Sequence, residues 1–427
     1  MEVMLALVNG KVFIKGRLIK ANLILSKRIE KITKEKPAVD NTIDCSGKII
    51  IPGLIDPHVH FRDPGQTYKE DWTSGSKAAA HGGVTTVLDM PNNVPPITTP
   101  ERLKEKIEIA KKKSIVNFGL YFGIGPNNLE TLGEVKNIVC GYKMFMCKST
   151  GDLLLTDVKK QEHAFETVSK TEKVLAVHAE TPEINEAAMK NKIEDLPESY
   201  ANTKPPESEI KAIEKALSMT KVHDTKLHVV HLTTAGGIEL IKNAKMQGLD
   251  VTTETCPHYL FFTKTNMREK KAFLAMKPPL RTKKDQAALW SAISAGTIDM
   301  ISTDHAPHTT EEKSQSVWSA PGGVPGVETR AGLMIDAVNK RLLSFERFVE
   351  ICCENPAKRF DIKERGFIEA GFFADITVVD MKKHYTIKTD NLYTKCGWSP
   401  FEGFKLKGCP VMTISEGKII MEDGVVL

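Results

Sequence analysis

The sequence predicts an α/β fold, a (β/α)8 TIM-like barrel with a small β-sandwich domain formed from both chain termini. Two observations support this prediction. Short apolar, β-branched runs alternate with amphipathic helical stretches through the middle of the chain. Both terminal segments contain short strand-like runs, such as ANLILS and VMTISEGKII, that are broken by glycine and charged turns.

Eight candidate strands occupy the middle of the chain, and helical stretches lie between them. Parallel strands need crossover helices, and right-handed crossovers close into a ring at eight units. A doubly wound open sheet is the alternative that the same pattern allows. The candidate strands are 54–61, 84–90, 117–123, 142–146, 173–180, 226–232, 251–258 and 298–307.

The same alternation sets the expected domain boundaries. Residues 51–366 are predicted to form the barrel, and residues 1–50 together with 367–427 a composite β-sandwich domain. Both terminal segments read as short strands separated by turns. Two such segments of like character therefore favour one sandwich that shares a single core.

Composition excludes several classes of protein. The 427 residues carry 59 Lys+Arg against 54 Asp+Glu, and a net charge of +5 is too small an excess for binding nucleic acid or an anionic membrane surface. No uninterrupted apolar run approaches the 18 or so residues of a membrane span, and the start lacks a signal-peptide pattern. The eight cysteines include no CxxC, so we expect a reducing, cytoplasmic setting and a metal site of histidine and carboxylate.

Residue types that bind metals recur at the carboxyl ends of the candidate strands, where barrel enzymes place their catalytic groups. His58 and His60 stand two apart, so they point to the same side of a strand and can chelate one ion. The fifth strand ends at His178, the sixth at His231 and the eighth at Asp304. One such histidine alone would indicate a structural imidazole, but this set at one end of a barrel predicts a metal site. His228 has the opposite parity to His231 and is expected to face away from the barrel axis, whereas a packing role is expected for His258.

Lys143 lies in the fourth candidate strand, where an ammonium group would be repelled by metal ions. Either it points elsewhere, or it reacts with CO2 to form an anionic carbamate that bridges two ions. Two Zn²⁺ with a hydroxide, Asp304 and a carbamate sum to about +1, whereas an ammonium group gives about +3 in a partly desolvated pocket. The charge sum favours the carbamate. Asp152, in the following loop, is the competing bridging carboxylate.

Groups suited to an anionic substrate surround these positions. Arg62 follows the histidine pair at the same parity, and a guanidinium there can hold a carboxylate through two hydrogen bonds. Asn92, just past the second strand, can donate to the same group, and His308 is within reach of the same pocket. Gly322 and Gly323 offer backbone donors and acceptors where the chain can approach a planar ring closely.

The motifs PGLIDPHVHFRDPGQTYKEDW (from residue 52), MPNN, GYKMFM, VHAE, HVVHL, STDHAPHTTEEK and WSPFEG resemble those of dihydroorotases in the amidohydrolase superfamily. The resemblance extends from about residue 3 to the end of the chain. It implies a barrel with a terminal β-sandwich, two zinc ions, and the reversible cyclisation of N-carbamoyl-L-aspartate to L-dihydroorotate in pyrimidine synthesis. The partners it implies are this small-molecule substrate, with a homodimer and an association with aspartate transcarbamoylase as further options.

The resemblance also implies roles for individual residues. Asp304 would act as a metal ligand and as the general base. Lys277, in MKPPLRT, stands where relatives have asparagine or arginine. Compared with the arginine form, the lysine keeps the positive charge. Many bacterial relatives use an aspartate downstream of Lys143 as the bridge, so the choice between Lys143 and Asp152 stays open. The implied zinc ligands are His58, His60 and Asp304 for the first ion, His178 and His231 for the second, with carboxylated Lys143 and a hydroxide as bridges. The implied substrate contacts are His60, Arg62, Asn92, Lys277, His308, Gly322 and Gly323.

Two other functions are open on the sequence. Dihydropyrimidinases (hydantoinases) and allantoinases resemble the chain in the metal ligands, but they generally lack the arginine at the position of Arg62 and the MPN asparagine, and their substrates lack the ring carboxylate. A non-catalytic paralogue acting as a scaffold is expected to have lost ligands, and none is lost here. Residues 147–156 form either a lid over the site or a plain connector.

Overall fold

The computed structural model describes residues 4–147 and 153–427. Within these ranges, eight parallel strands follow one another around a nearly closed barrel, each paired with the next along the chain. A bridge between Val59 and His305 joins the last unit to the first, and the His60 N–H donates to the carbonyl of His305 over 2.8 Å. The barrel is therefore confirmed, and the open sheet is excluded. Strands of the barrel and of the sandwich are numbered together in chain order, so the barrel begins with β8. The barrel strands are β8 (Leu54–Val59), β9 (Val84–Asp89), β10 (Asn117–Ile124), β11 (Gly141–Phe145), β12 (Val174–His178), β13 (Leu227–Val229), β14 (Val251–Thr255) and β15 (Met300–Ile301).

The seam between β8 and β15 needs extra support, because β15 has only two residues. Asp56 accepts hydrogen bonds from Thr303 N–H (3.1 Å) and Thr303 Oγ1 (2.6 Å) across the seam. The buried Arg330 donates from Nη1 to the carbonyls of Ile55 and Ile301, one on each side. These bonds replace the ladder that the short strand cannot make, and they hold the Asp304 segment beside the histidine pair.

Helices alternate with the barrel strands as the amphipathic stretches predicted, and polar side chains cap the first turns of several of them. Asp71, Thr99 and Asp157 each accept a hydrogen bond from a backbone N–H in the first turn of the helix that follows. The helices of the described chain are α1 (Trp72–His81), α2 (Pro100–Lys113), α3 (Leu132–Val135), α4 (Val158–Ser169), α5 (Pro182–Ala188), α6 (Pro206–His223), α7 (Ala235–Met246), α8 (Pro257–Phe261), α9 (Met267–Lys270), α10 (Lys283–Ser294), α11 (Thr310–Lys313), α12 (Arg330–Asn339), α13 (Phe345–Val349) and α14 (Asn355–Arg359). Among the described residues, no helix combines the length and the apolar composition that crossing a membrane requires.

The two chain ends form a sandwich of two sheets, as predicted. One sheet has the strand order β5-β4-β1-β6, and the other has the order β19-β18-β17-β16-β7-β2-β3, so the second contains strands from both ends. Leu7, Leu23 and Ile29 of the first sheet pack against Ile50 and Ile376 of the second in a core of their own. The domain limits at residues 50 and 367 stay predictions. The sandwich strands are β1 (Leu5–Val8), β2 (Lys11–Ile14), β3 (Arg17–Lys20), β4 (Asn22–Leu25), β5 (Ile29–Thr33), β6 (Asn41–Asp44), β7 (Ile49–Pro52), β16 (Ile376–Thr386), β17 (Lys405–Ser415), β18 (Lys418–Glu422) and β19 (Val425–Val426).

Candidate metal centre and substrate pocket

The carboxyl ends of the barrel strands bring the predicted site residues together. His58 lies in β8, Lys143 in β11 and His178 at the end of β12, while His231 and Asp304 follow β13 and β15 closely. All the predicted site residues except His308 line one pocket, and His308 lies directly behind Arg62. Phe145 and Ala306 also line it and were missed. The pocket is lined by His58, His60, Arg62, Asn92, Lys143, Phe145, His178, His231, Lys277, Asp304, Ala306, Gly322 and Gly323.

His58, His60 and Asp304 form a first group of convergent acceptor atoms. The two Nε2 atoms lie 3.2 Å apart, and Asp304 Oδ1 lies 3.2 Å from the first and 2.9 Å from the second. His58 Nδ1–H donates to Glu254 over 2.6 Å, and His60 Nδ1–H donates to Asn92 Oδ1 over 2.6 Å. Both Nε2 atoms therefore present lone pairs toward the carboxylate. Three acceptors that face one another without a donor between them fit a metal cation.

His178 and His231 form a second group on the neighbouring strands. His178 Nδ1 lies 2.9 Å from His231 Nε2. His178 Nε2–H donates to Glu180 over 2.9 Å, so the lone pair of His178 is on Nδ1, inside the pocket. The other nitrogen of His231, Nδ1, is buried and has no hydrogen-bond partner among the described residues. This pair of imidazoles suits a second cation.

Lys143 is fully buried and lines the same pocket as these two groups. Its Nζ has no hydrogen-bond partner among the described residues and sits 5.1 Å from the centre of the Phe145 ring. Burial lowers the pKa of Lys143 to about 8, although the charges of Glu254, Asp304 and Cys256 act in the opposite direction. The competing residue Asp152 lies outside the described residues, as do 148–151 of the predicted lid or connector.

The protonation states of the ligand candidates suit metal binding, which requires neutral imidazole and ionised carboxylate. Burial lowers the pKa of His60 to about 3, a shift that Asp304 only partly offsets. Burial also lowers the pKa of His178 and of His231. Burial raises the pKa of Asp304, but the positive charge of His58 and His60 in their protonated form outweighs this effect and holds that pKa well below its ordinary value.

Glu254 in β14 is a site residue that the sequence interpretation missed. It is fully buried and accepts hydrogen bonds from His58 Nδ1 and, over 3.1 Å, from His228 Nε2. Burial raises its pKa, but His58 and His228 outweigh this and hold the pKa well below its ordinary value. Glu254 therefore fixes the ring and the tautomer of His58. The available signal was a lone carboxylate in the buried run VTTETC, which is costly without a partner.

The prediction that His228 faces away from the barrel axis is wrong. Lys143 pairs in register with Ala176, and Ala176 pairs with His228, so all three side chains point into the barrel. Parity counted from His231 fails because β13 ends at Val229, and His231 has a left-handed φ of 41°. His258 is buried in α8, with its ring 4.2 Å from that of Tyr259.

Arg62 is a cationic residue of the pocket, and its side chain is buried. Nη2 lies 3.3 Å from His308 Nε2, whereas Nε and Nη1 are buried and have no hydrogen-bond partner among the described residues. Asn92 lies beside it with Oδ1 occupied by His60. A buried guanidinium with unpaired N–H groups is costly until an anion completes it.

Three residues of the site have left-handed backbone conformations that non-glycine residues rarely adopt. The φ angles are 62° at Arg62, 41° at His231 and 44° at Asp304. Each such conformation costs on the order of 1–3 kcal/mol, and costs of this kind cluster at functional sites. Gly323 has a φ of 145°, and a residue with a side chain does not fit there, because its Cβ atom would lie 2.5 Å from the carbonyl oxygen of Ala306.

Comparison with known proteins identifies relatives over the whole chain. A model of the amidohydrolase family matches residues 49–420. The dihydroorotase of Pyrococcus furiosus is 38% identical over 429 residues, covering 100% of this chain and 94% of the relative. The dihydroorotase of Lactobacillus delbrueckii is 34% identical, covering 97% of this chain and 98% of the relative.

Solved structures with the same fold belong to another activity of the superfamily. The L-hydantoinase (dihydropyrimidinase) of Arthrobacter aurescens aligns with a TM-score of 0.96 at 30% identity, covering 100% of this chain and 98% of that one. The dihydropyrimidinase of Brevibacillus agri aligns with a TM-score of 0.92 at 27% identity, covering 99% and 96%. The fold alone therefore does not separate the two activities.

Proposed function

The chain belongs to the amidohydrolase family and, through relatives matched over nearly their whole length, to its dihydroorotases; from this premise we propose that it interconverts N-carbamoyl-L-aspartate and L-dihydroorotate. The observation that carries the proposal is the buried Arg62, which lies in the same pocket as the metal-ligand candidates and whose Nε and Nη1 find no hydrogen-bond partner in the described part of the chain. Such a pocket suits a cyclic amide that bears a carboxylate.

Two zinc ions per chain are proposed as the cofactors. His58, His60 and Asp304 would hold the first ion, and His178 and His231 the second. Zinc in such a site polarises the amide carbonyl and lowers the pKa of a bound water to about 7. The remaining work, which is to orient the substrate and to move protons, belongs to the side chains of the chain itself.

Lys143 is proposed to bridge the ions as a carbamate. The neutral amine attacks CO2, a C–N bond forms, and one proton leaves, so the product carries a negative charge. A pKa of about 8 leaves an appreciable fraction of Lys143 neutral near physiological pH. An ammonium group without an acceptor is a poor occupant of this position, and the carbamate removes that conflict.

The substrate carboxylate is proposed to bind Arg62, with Asn92 and His308 beside it. Nη1 and Nε of Arg62 supply two donors, which matches the two oxygens of a carboxylate. Lys277, half-buried at the pocket edge, supplies a further cation for a carboxylate or carbonyl oxygen. Gly322 and Gly323, which line the same pocket, would receive the planar ring.

Asp304 is proposed as the general base and acid. It accepts the proton of the attacking water as the oxygen bonds to the amide carbon, and it delivers that proton to the ring nitrogen as the C–N bond breaks. Ring closure follows the same path in reverse and releases water. Asp304 is ionised, and its Oδ1 lies 2.9 Å from His60 Nε2, inside the proposed metal site.

A hydantoinase is the second candidate, favoured by the fold similarity to the Arthrobacter aurescens enzyme. Its ring lacks the carboxylate, so Arg62 would stay unpaired in such a complex. A non-catalytic scaffold is disfavoured, since every proposed ligand is present. A homodimer, an association with aspartate transcarbamoylase and a cytoplasmic location stay predictions.

Activity on the two rings tests the proposal. Purified protein supplied with zinc and bicarbonate is expected to hydrolyse L-dihydroorotate and to form it from N-carbamoyl-L-aspartate, as followed by ultraviolet absorbance or chromatography. Hydantoin and dihydrouracil are expected to react at least about a hundredfold less efficiently in kcat/KM, because one lost charge-assisted pair costs about 3 kcal/mol. Faster turnover of the uncharged rings would favour the hydantoinase.

Arg62→Ala is expected to raise KM for dihydroorotate by about a hundredfold or more while zinc content stays at the wild-type level. The guanidinium binds the substrate carboxylate and is not a proposed metal ligand. Steady-state kinetics and metal analysis measure the two effects separately. A matched fall in zinc content, or an unchanged KM, would contradict the role given to Arg62.

A further inference from the structure

His308 lies between two cationic side chains that the loop after β8 provides. Lys69 Nζ is 3.1 Å from His308 Nδ1, and Arg62 Nη2 is 3.3 Å from His308 Nε2. His308 Nε2 also lies 3.2 Å from the carbonyl oxygen of Gly322. The His308 side chain is fully buried, and only 4% of the Lys69 surface is exposed.

Lys69 and Arg62 can only donate, so a neutral imidazole can accept from only one of them, and the carbonyl of Gly322, which can only accept, decides which one. A lysine ammonium group only donates, so His308 Nδ1 accepts from Lys69 and carries no proton. The ring proton is then on Nε2, where it is donated to the carbonyl of Gly322, and Arg62 Nη2, 3.3 Å from the same nitrogen, makes no hydrogen bond to the ring. Burial and the charges of Arg62 and Lys69 hold the pKa of His308 far below its ordinary value, so the ring stays neutral.

Lys69 is itself held in place by an acid and by the loop that carries Arg62. Its Nζ lies 2.9 Å from Glu312, at the start of the helix that follows His308. Along the loop, Gln66 N–H donates to the Arg62 carbonyl and Lys69 N–H donates to the Gln66 carbonyl. The two cations are therefore fixed relative to each other on either side of His308.

We propose that Lys69 is a positioning residue for recognition of the substrate carboxylate, an inference that rests on the proposed function. Lys69 holds His308 with its Nε2–H beside Arg62, so that the imidazole donates to the carboxylate when the anion takes the place of the Gly322 carbonyl as acceptor. A ring that has no carboxylate gains nothing from this arrangement.

Kinetics on charged and uncharged rings test this role, with Lys69→Met as the main variant. We expect KM for dihydroorotate to rise by about tenfold to a hundredfold, while kcat for dihydroorotate and kcat/KM for dihydrouracil change by less than about threefold. Lys69→Arg keeps a donor for His308 Nδ1 and is expected to recover part of the loss.

Lys395→Met is the matched control. Lys395 Nζ binds the same loop from its outer side, at the Thr67 carbonyl (2.6 Å) and Asp71 Oδ2 (2.7 Å), and does not reach His308. Its kinetics are expected to match the wild type, so a general loosening of the loop is separated from the loss of Lys69. A Lys69→Met enzyme with wild-type KM for dihydroorotate, or an equal loss on dihydrouracil, would overturn the proposal.

Nitrogen NMR of the histidine rings tests the tautomer in the wild-type enzyme, without any substrate. The His308 signal, assigned by its absence from His308→Gln, is expected to show a proton on Nε2 and none on Nδ1. A proton on Nδ1 would overturn the role of Lys69 even if Lys69→Met fails to fold. Absence of dihydroorotate turnover by the wild type, with the expected tautomer present, would instead locate the failure in the proposed function.

Discussion

Lys143→Ala is expected to lose at least about a thousandfold in kcat, and short-chain carboxylic acids such as acetate or propionate are expected to restore part of it. The variant removes the proposed bridging anion and leaves a space next to both groups of metal ligands. A small acid supplies a carboxylate of similar shape in that space. The loss reflects the removal of electrostatic stabilisation where charge develops, which is commonly the largest single contribution to catalysis.

The control for this rescue is Lys143→Met, which fills the space with an uncharged chain of similar length. It is expected to be as inactive as the alanine variant and to gain nothing from added acids. Zinc analysis of both variants shows whether an ion is lost with the bridge. Wild-type activity in Lys143→Ala would contradict the carbamate and would make Asp152 the candidate bridge.

Asp304→Asn is expected to lower kcat by about a thousandfold to ten-thousandfold, the upper part of the range for general acid–base catalysis. The amide keeps the shape and one oxygen that can face the metal, but it cannot accept a proton from water at neutral pH. Substrate affinity should change little, because the carboxylate-binding groups are untouched. Stopped-flow or steady-state rates on dihydroorotate give kcat and KM separately.

Metal content decides how that loss is interpreted. If Asp304→Asn retains two zinc ions and binds substrate normally, the loss belongs to proton transfer. If one ion is missing, the variant reports a ligand defect, and the general-base role is not supported. A variant that keeps more than about a tenth of wild-type kcat would contradict both roles.

Much of the fold followed from the sequence because its signals are local. Eight buried strands, the histidine pair at the end of β8 and the capped helices each depend on a few neighbouring residues. The seam of the barrel was not predictable in this way. It depends on Arg330 reaching Ile55 and Ile301, and on Asp56 reaching Thr303, contacts between segments far apart in the chain.

The candidate site shows the same division. Strand-end positions identified the ligand candidates. The residues that orient them were missed, because the role of an interior carboxylate can be recognised only when its hydrogen-bond partners are known. Glu254 bridges His58 and His228, and Lys69 reaches His308, through the packing of separate units. The wrong prediction that His228 faces away from the barrel axis has a different cause. It was counted from His231, whose left-handed backbone breaks the alternation of side chains along the strand.

The most direct test of the account is a crystal structure of the protein grown with zinc and bicarbonate, with anomalous data collected at the zinc absorption edge. Two anomalous peaks are expected, one bounded by His58, His60 and Asp304 and the other by His178 and His231. Planar carboxylate density is expected on Lys143 Nζ between them. A map with no anomalous peak among these side chains, or with a bare amine at Lys143 beside two bound ions, would contradict it.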